Sequence, residues 1–251
     1  RYIYPESIFA ETEIKNKYRI KLYKSDINPP VNASLEKLAR TLEAYSGLIK
    51  KKIAIAYSGG LDSSLLAWVF REREPLLITV GFEESEDVVV SKERAKLLGI
   101  EHMVHKVEVK ELKESLEIVY DLGFSVMELA LAAGFYIVGK IAKENGADVL
   151  IVGQLADELF GGYQKYRSIP IDRLEVILDN DVKKAIVGMR RDSKAIFYAG
   201  LEPVYPYAFR SFFRNARGLP TEYKVNKLGL RRIGEILGMP KEIINARKKA
   251  F

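Results

Sequence analysis

Residues 52–68 read KIAIAYSGGLDSSLLAW, and this stretch constrains the fold more than any other part of the chain. The run KIAIAY is short, apolar and partly β-branched, which predicts a buried strand. The run SSLLAWVF has apolar residues at helical spacing, with Asp62, Ser63 and Ser64 as candidate helix caps. A strand, a tight glycine turn and a helix in succession predict an α/β domain.

The same alternation continues along the chain. The apolar runs PLLITVGF, HMVHKVEV and ADVLIVGQ predict further strands, and helical patterns separate them. This order predicts a parallel sheet flanked by helices, followed by a helical region beyond residue 165. Before the glycine turn, Asn32 or Ser34 is a candidate cap for another helix. We expect a β-rich and helical lead over residues 1–46 and one larger domain over residues 47–251.

The glycine turn has the chemistry of a phosphate site. Gly59 and Gly60 permit a sharp turn and let a ligand approach the backbone amides. The start of the following helix attracts phosphate, and the serine hydroxyls add hydrogen-bond donors. Asp62 would repel phosphate unless a cation lay between them. The combination predicts a site for a magnesium-bound polyphosphate, and the alternative is an ordinary strand-to-helix turn.

A second turn, in VLIVGQLADELFGGY (residues 149–163), carries another acidic pair. A predicted strand ends at Gly153, and Asp157 and Glu158 follow. If this strand neighbours the first one, Asp157 faces the glycine turn, and Asp62 and Asp157 can share one magnesium ion. The alternative for either aspartate alone is a helix-capping role.

A different phosphate-loop pattern occurs at residues 134–141, which read GFYIVGKI. A functional loop of that kind needs Ser or Thr after the lysine and a strand before it. Ile141 stands at that position, and the stretch lies inside a helical apolar pattern. We therefore interpret it as a site of helix packing.

The composition excludes several classes of enzyme site. The chain has no Cys, so it has neither a thiol nucleophile nor a Cys-rich zinc site. Its two histidines, His102 and His105, fall in a predicted strand, which argues against both a Ser-His-Asp triad and a metal pair. No stretch has the length of a membrane span and no signal peptide is recognisable, so we expect a cytoplasmic location.

Four motifs carry a resemblance to a known family. SGGLDSS resembles the pyrophosphate loop of the N-type ATP pyrophosphatases, whose fold is adenine nucleotide alpha-hydrolase-like. DELFGGY, RRDSKAIFYAGLEPVYPY (190–207) and KVNKLGLR (224–231) resemble segments of the asparagine synthetases, the synthetase domain of that superfamily. In the third motif the residues in register are Asp192, Lys194, Gly200, Glu202 and Pro206. The resemblance runs from about residue 50 to the end of the chain.

This resemblance implies an ATP-dependent, amide-forming ligase that activates a carboxylate, that of aspartate or an analogue, and releases AMP and pyrophosphate. It implies ATP and Mg²⁺ as cofactors, with Val80 and Gly153 against the adenosine and Lys227 at the α-phosphate. Asp157 joins Asp62 as a metal ligand and joins Lys227 and Gln154 as a catalytic residue. The residues implied to bind pyrophosphate and magnesium are Ser58, Gly59, Gly60, Asp62, Ser63 and Ser64.

The chain departs from the family pattern at the second turn. The family sequence GEGSDE is GQLADE here, with Gln154 in place of Glu and with Leu155 and Ala156 in place of Gly and Ser. Val204 stands where the family has an arginine. The family glutamate is suited to accept protons as ammonia attacks, and an amide cannot do so. We therefore expect Gln154 to limit the chemistry and not ATP binding. If aspartate is the natural substrate, Gln154→Glu should raise asparagine formation, and the alternative is a different acceptor that needs no base at this position.

The nitrogen source and the partners are less constrained. Without Cys the family's glutaminase chemistry is absent from these residues, so ammonia would come from solution, a separate glutaminase subunit or an upstream region. We expect a small-molecule substrate and neither a membrane nor a nucleic acid as partner, and a homodimer remains open. Residues 183–251 hold 16 Lys or Arg against 5 Asp or Glu, which keeps a tRNA-modifying adenylating enzyme as an alternative, although DELFGGY argues against it. A non-catalytic ATP-binding homologue is the third reading.

Overall fold

The computed structural model describes residues 9–14, 17–22, 32–82, 85–120 and 126–246. The strands are β1 (Phe9–Ile14), β2 (Lys17–Leu22), β3 (Ile53–Ala56), β4 (Leu76–Gly81), β5 (His102–Lys106), β6 (Val149–Ile151) and β7 (Glu202–Val204). The helices are α1 (Leu35–Leu48), α2 (Leu61–Phe70), α3 (Glu86–Leu98), α4 (Val109–Tyr120), α5 (Val126–Glu144), α6 (Ala156–Phe160), α7 (Ile171–Tyr198), α8 (Arg210–Arg217), α9 (Leu228–Ile236) and α10 (Lys241–Ile244).

The central sheet has five strands in the order β5-β4-β3-β6-β7, and every neighbouring pair is parallel. Strands β4 and β5 extend the sheet on one side of β3, and β6 and β7 extend it on the other. Ligands of open parallel sheets bind at the carboxyl ends of the strands where the order reverses, which here is between β3 and β6. This confirms the predicted parallel sheet flanked by helices.

The core of the protein surrounds this sheet. The side chains of Ile53, Ala54 and Ile55 in β3 are buried, as expected of a central strand of a parallel sheet. Helices α2, α3 and α5 pack against the sheet, α7 packs along α5, and α1 packs against α8 and α9. The same core cluster includes Leu38 and Leu42 of α1. None of the described helices combines the length and the apolar composition that crossing a membrane requires.

The beginning of the chain contains an antiparallel hairpin of β1 and β2, followed by α1. The predicted cap at Ser34 is confirmed, because the Lys37 backbone N–H donates to Ser34 Oγ at 3.2 Å. The proposed division between residues 46 and 47 falls inside α1 and stays a prediction.

Three expectations about local structure were wrong. Helix α2 begins at Leu61 with Gly60 at its N-cap, so Asp62, Ser63 and Ser64 lie in its first turn and do not cap it. Strand β6 ends at Ile151, two residues before Gly153. The region beyond residue 165 is not wholly helical, because β7 pairs with β6. Strand β7 is three residues long and contains Pro203, which is tolerated at a sheet edge and hides the strand pattern.

The predicted placement of two further stretches is confirmed, one in a helix and one in a strand. Residues 134–141 lie within α5, and an added Cβ at Gly139 would meet Ala199 Cβ at 2.8 Å, so this glycine serves helix packing. His102 lies in β5 with its ring Nε2 2.8 Å from Thr79 Oγ1. No group of three or more His, Asp or Glu side chains within the described ranges is placed to hold a metal ion.

The turn from β6 into α6 contains a strained residue. Leu155 has φ +76°, in the left-handed region that favours glycine, and its side chain is buried. The family pattern has glycine at this position. The left-handed turn is therefore present although the residue type that favours it is not.

In a helix an alanine variant is usually more stable than a glycine variant. Because of the strain at Leu155, we expect the opposite order of stability there. We expect Leu155→Gly to have a larger free energy of unfolding than Leu155→Ala by about 1 kcal/mol, since only alanine keeps a Cβ in the left-handed region. Leu159, also buried but inside α6, is the matched control, and there alanine should be better by about 1 kcal/mol. Urea unfolding of the four variants measures both differences, and the same order at both positions would show that Leu155 is unstrained.

Candidate functional site

The glycine turn lies at the carboxyl end of β3 and is held by its own hydroxyl groups. The Gly60 N–H donates to Ser58 Oγ at 3.3 Å, and Ser63 Oγ donates to the Gly60 carbonyl at 3.2 Å. Ser64 is fully buried, and its hydroxyl donates to the Gly59 carbonyl at 3.3 Å. The described contacts of Ser64 are therefore within the turn and to the Tyr57 hydroxyl, 3.2 Å away.

Gly59 is required by both conformation and space. Its φ is +71°, and an added Cβ would lie 2.8 Å from the Cα of Ser91 in α3. The N-cap of α2, Gly60, makes no side-chain cap hydrogen bond, so the first backbone amides of the helix have no partner of that kind. An uncapped helix start next to a glycine turn is suited to an anion.

The second turn meets the first, as the sequence predicted if β3 and β6 were neighbours. An added Cβ at Gly153 would lie 3.5 Å from both Asp62 Cβ and the Ser63 backbone nitrogen. Asp157 lies in the first turn of α6, and the adjacent Glu158 instead accepts a hydrogen bond from the Tyr163 hydroxyl at 2.7 Å. The two strand-end turns therefore form one site, with Asp62 and Asp157 on its two sides.

The side chain of Lys227 joins the two aspartates. Its Nζ lies 2.7 and 2.5 Å from the two carboxylate oxygens of Asp62 and 2.7 Å from Asp157 Oδ1. Burial of the ammonium disfavours its charge, but the two carboxylates outweigh burial and raise the pKa of Lys227 above its usual value. The two carboxylates thus converge on one point, which the Lys227 ammonium occupies. That they share a metal ion stays a prediction.

The backbone around Lys227 is strained. Lys227 has φ +59° and Asn226 has φ +49°, and the Lys227 N–H donates to the Phe160 carbonyl at 2.8 Å. Left-handed residues other than glycine cluster at functional sites, where the surroundings impose them. The hydrogen bond to the end of α6 fixes where Lys227 leaves the backbone.

The glycines of DELFGGY make room for this lysine. Gly161 has φ +61°, and an added Cβ there would overlap the Lys224 carbonyl. An added Cβ at Gly162 would overlap both the Asp157 carboxylate and the aliphatic part of Lys227. The motif is therefore explained by close approach between α6 and the segment that precedes α9.

Other predicted residues are placed around this centre. Val80 lies near the carboxyl end of β4, half-buried, beside the glycine-turn strand β3. Gln154 Nε2 donates to Asp192 Oδ2 at 2.8 Å. Its hydrogen bond is therefore to α7 and not to Asp62 or Asp157. Asp192 is fully buried, and burial raises its pKa to about 6 against the lowering effects of Arg191 and Gln154.

The sequence reasoning missed three side chains of the site. Arg94 of α3 donates to the Gly59 carbonyl, and the Tyr207 hydroxyl donates to the Asp62 carbonyl at 2.8 Å. Arg231 lies one turn after Lys227 and carries a lowered pKa, because burial outweighs the attraction of Asp62. Arg231 ends the quoted motif KVNKLGLR, so its i, i+4 spacing from Lys227 was the available signal. No sequence pattern pointed to Arg94.

Comparison with known proteins bears on this site. The family model of asparagine synthase matches residues 50–185, more than half of the chain and including both strand-end turns. The chain belongs to the asparagine synthase family. The motifs DELFGGY and SGGLDSS both fall inside the matched range.

Individual relatives agree with the family assignment. A provisionally named asparagine synthetase of the glutamine-hydrolysing type from Methanocaldococcus jannaschii is 31% identical over 209 residues, 78% of this chain and 38% of that protein. Asparagine synthetase 1 of Bacillus subtilis is 41% identical over 115 residues, 44% of this chain and 18% of that protein. The chain thus spans less than half the length of these relatives.

A solved structure was also matched. NMN synthetase from Francisella tularensis superposes with a TM-score of 0.48 at 14% identity, over 86% of this chain and 76% of that one. A likeness at this level carries no conclusion about the reaction.

The packing of Gly162 against Lys227 predicts a specific effect of a single methyl group. We expect Gly162→Ala to displace the ammonium from the carboxylates and to lower the free energy of unfolding by more than about 2 kcal/mol, since it disrupts a buried ion pair. Gly134→Ala in α5 is the control, because no atom lies within 4 Å of the added Cβ. There we expect a gain of up to about 1 kcal/mol. Urea unfolding compares the two, and an unperturbed Gly162→Ala protein would contradict the described packing.

Proposed function

We propose that this protein is an ATP-dependent carbon–nitrogen ligase that converts a carboxylate to an amide, with aspartate or a close analogue as acceptor and ammonia as nitrogen donor. ATP is cleaved between its α and β phosphates, so AMP and pyrophosphate are the products. The observation that carries this proposal is the convergence of Asp62, Asp157 and Lys227 where the two strand-end turns meet. The family membership supports an ATP-dependent ligase of this general kind.

The residues present fit a magnesium–nucleotide complex. The carboxylates of Asp62 and Asp157 both lie within 2.7 Å of the Lys227 ammonium, and carboxylate oxygens are ligands that Mg²⁺ prefers. Mg²⁺ would take the place of this ammonium between the two carboxylates. When bound, Mg²⁺ would neutralise charge on phosphate oxygens. Ser58, Gly59, Gly60 and Ser63 would hold pyrophosphate through hydroxyl and amide donors, with Ser64 supporting the turn from inside.

Each step of the proposed reaction gives a specific role to residues of this chain. A carboxylate oxygen of the acceptor attacks the α-phosphorus, and pyrophosphate leaves. Lys227, once Mg²⁺ replaces its ammonium between the two carboxylates, would stabilise the negative charge that develops at the α-phosphate, which is an electrostatic role suited to an ammonium. Val80 and Gly153 would lie against the adenosine. Ammonia then attacks the activated carbonyl carbon, and AMP leaves with the electrons of the broken C–O bond.

The charge pairing of the basic region supports a small-molecule site over a nucleic-acid surface. Lys224 Nζ lies 2.9 Å from Glu175 Oε1, and Arg217 lies 2.7 Å from Asp179. Both acids are in α7, before residue 183. Part of the positive charge counted over residues 183–251 is therefore balanced by carboxylates just outside that range.

The shared-cation site predicts a loss of magnesium-dependent nucleotide binding. We expect Asp62→Asn and Asp157→Asn each to weaken ATP binding in the presence of Mg²⁺ by about 10- to 10²-fold, because each removes a charged ligand. Asp172→Asn, at the exposed start of α7, should leave the affinity unchanged. Calorimetry with and without Mg²⁺ measures the effect. Unaltered affinity in both site variants would rule out the shared-cation site.

The identity of the released phosphate tests the bond that is cleaved. In a reaction with ATP, Mg²⁺, aspartate and ammonium, we expect AMP and pyrophosphate, since the glycine turn is of the type that cleaves between the α and β phosphates. Chromatography of the nucleotide products distinguishes AMP from ADP. Formation of ADP would refute the proposed reaction, and ATP binding without any turnover would favour a binding-only homologue.

A further inference from the structure

The side chain of Gln154 is hydrogen-bonded to a buried carboxylate, that of Asp192 in α7. Gln154 follows Gly153, the residue that packs against Asp62, in the turn after the carboxyl end of β6. Its Nε2 donates to Asp192 Oδ2 at 2.8 Å, and Asp192 has no exposed surface. The other carboxylate oxygen of Asp192 accepts from Arg191 Nε at 2.7 Å and lies 2.6 Å from Arg191 Nη2.

This contact determines which end of the amide faces inward. An ionised carboxylate only accepts hydrogen bonds, so the amide must turn its NH₂ group towards Asp192. The carbonyl oxygen of Gln154 is then directed away from Asp192. Among the described residues, none donates a hydrogen bond to this oxygen. The half-buried Gln154 therefore offers an oriented acceptor at the carboxyl end of β6.

The charges around Asp192 keep it ionised near neutral pH. Burial raises its pKa to about 6, and Glu128 of α5 adds to this rise. Arg191 on α7 and Gln154 on the turn after β6 oppose it. Above about pH 6 the carboxylate is therefore charged and the orientation of the amide is fixed.

We propose that Asp192 is a positioning residue that holds Gln154 with its amide oxygen towards the incoming ammonia. This inference rests on the proposed function. As the nitrogen attacks the activated carbonyl carbon, a C–N bond forms, the C–O bond breaks and AMP leaves with the electron pair. Gln154 accepts a hydrogen bond from the attacking nitrogen and orients it. The nitrogen's surplus proton goes to solvent, because the amide cannot take it.

The same geometry changes the expectation for Gln154→Glu. A glutamate at this position would place a second carboxylate against Asp192, and two adjacent carboxylates do not both ionise readily. The new group would be held in its protonated form and would be a poor base. We therefore expect the single variant not to raise asparagine formation, in contrast to the sequence-based prediction. Combining it with Asp192→Asn removes the conflict, because the asparagine NH₂ can donate to the new carboxylate.

Two assays separate the amine step from the step before it. Aspartate-dependent exchange of labelled pyrophosphate into ATP reports activation of the carboxylate and needs no amine. AMP formation as ammonium chloride is varied reports the amine step through its KM. Asp192→Asn allows either orientation of the Gln154 amide, since asparagine both donates and accepts. Gln154→Met removes the acceptor and leaves Asp192 in place.

Asp181→Asn is the matched control. Asp181 is also a buried, ion-paired aspartate of α7, bonded to Lys165 and Tyr166 and not to Gln154. It reproduces the loss of a buried charge on the same helix. We expect Asp192→Asn and Gln154→Met to raise the KM for ammonium about tenfold, the effect of one lost hydrogen bond, with exchange unchanged. The Asp181→Asn protein should retain the wild-type KM for ammonium.

The outcomes distinguish this inference from the proposed function. Normal exchange with an unchanged KM for ammonium in both test variants overturns the inference and leaves the ligase function intact. Exchange that falls in parallel with amine-dependent turnover also overturns it, because the effect would then lie before the amine step. Absence of pyrophosphate exchange in the wild-type protein overturns both the role of Asp192 and the proposed ligase function. If Asp192→Asn does not fold, Gln154→Met decides, because it keeps the buried pair of Asp192 and Arg191.

Discussion

A buried ammonium held between two carboxylates joins three parts of this chain that are distant in sequence. Asp62 lies in α2, Asp157 in α6 and Lys227 at the start of α9. A buried charge left without its partner typically costs about 3–5 kcal/mol, so none of the three is stable in this place without the others. The same ion pairs therefore form the candidate site and help to hold α9 against α2 and α6.

The same centre collects the strained backbone of the protein. Leu155, Asn226 and Lys227 are three of the four non-glycine residues with positive φ in the described ranges, and the fourth, Glu74, lies outside this centre. Such residues cost about 1–3 kcal/mol each and persist only where the surroundings impose them. Here the surroundings are identifiable: Phe160 accepts the Lys227 N–H at 2.8 Å, and Gly162 leaves space for the lysine side chain. A site that stores strain in this way is pre-organised, because the backbone that carries its charged groups is held in place before any ligand arrives.

Much of this arrangement was predictable from local sequence, and the rest was not for physical reasons. The strand, glycine turn and helix of residues 53–70 follow from periodicity and turn chemistry. That β3 and β6 are neighbours could not be predicted from the sequence, since strand order is set by tertiary packing. Helical spacing alone cannot distinguish a lysine that faces solvent from one that faces carboxylates, so the place of Lys227 rested on resemblance. Asp192 stood in a quoted motif, but only its contact with Gln154 gives it a role.

The three residues of GQLADE that depart from the family pattern, Gln154, Leu155 and Ala156, affect the backbone and the chemistry of the turn differently. Leu155 keeps the left-handed turn of the glycine that it replaces, and Ala156 is fully buried at the start of α6. Neither displaces Asp157, whose carboxylate still lies 2.7 Å from the lysine ammonium. Gln154 is different, because it removes a titratable group and pairs instead with Asp192. The positions proposed to hold the nucleotide therefore keep their contacts, whereas position 154 carries an amide bonded to Asp192 in place of the family's carboxylate. Under the proposed function, such an amide can accept a hydrogen bond from the nitrogen nucleophile but cannot take its proton, which would be lost to solvent.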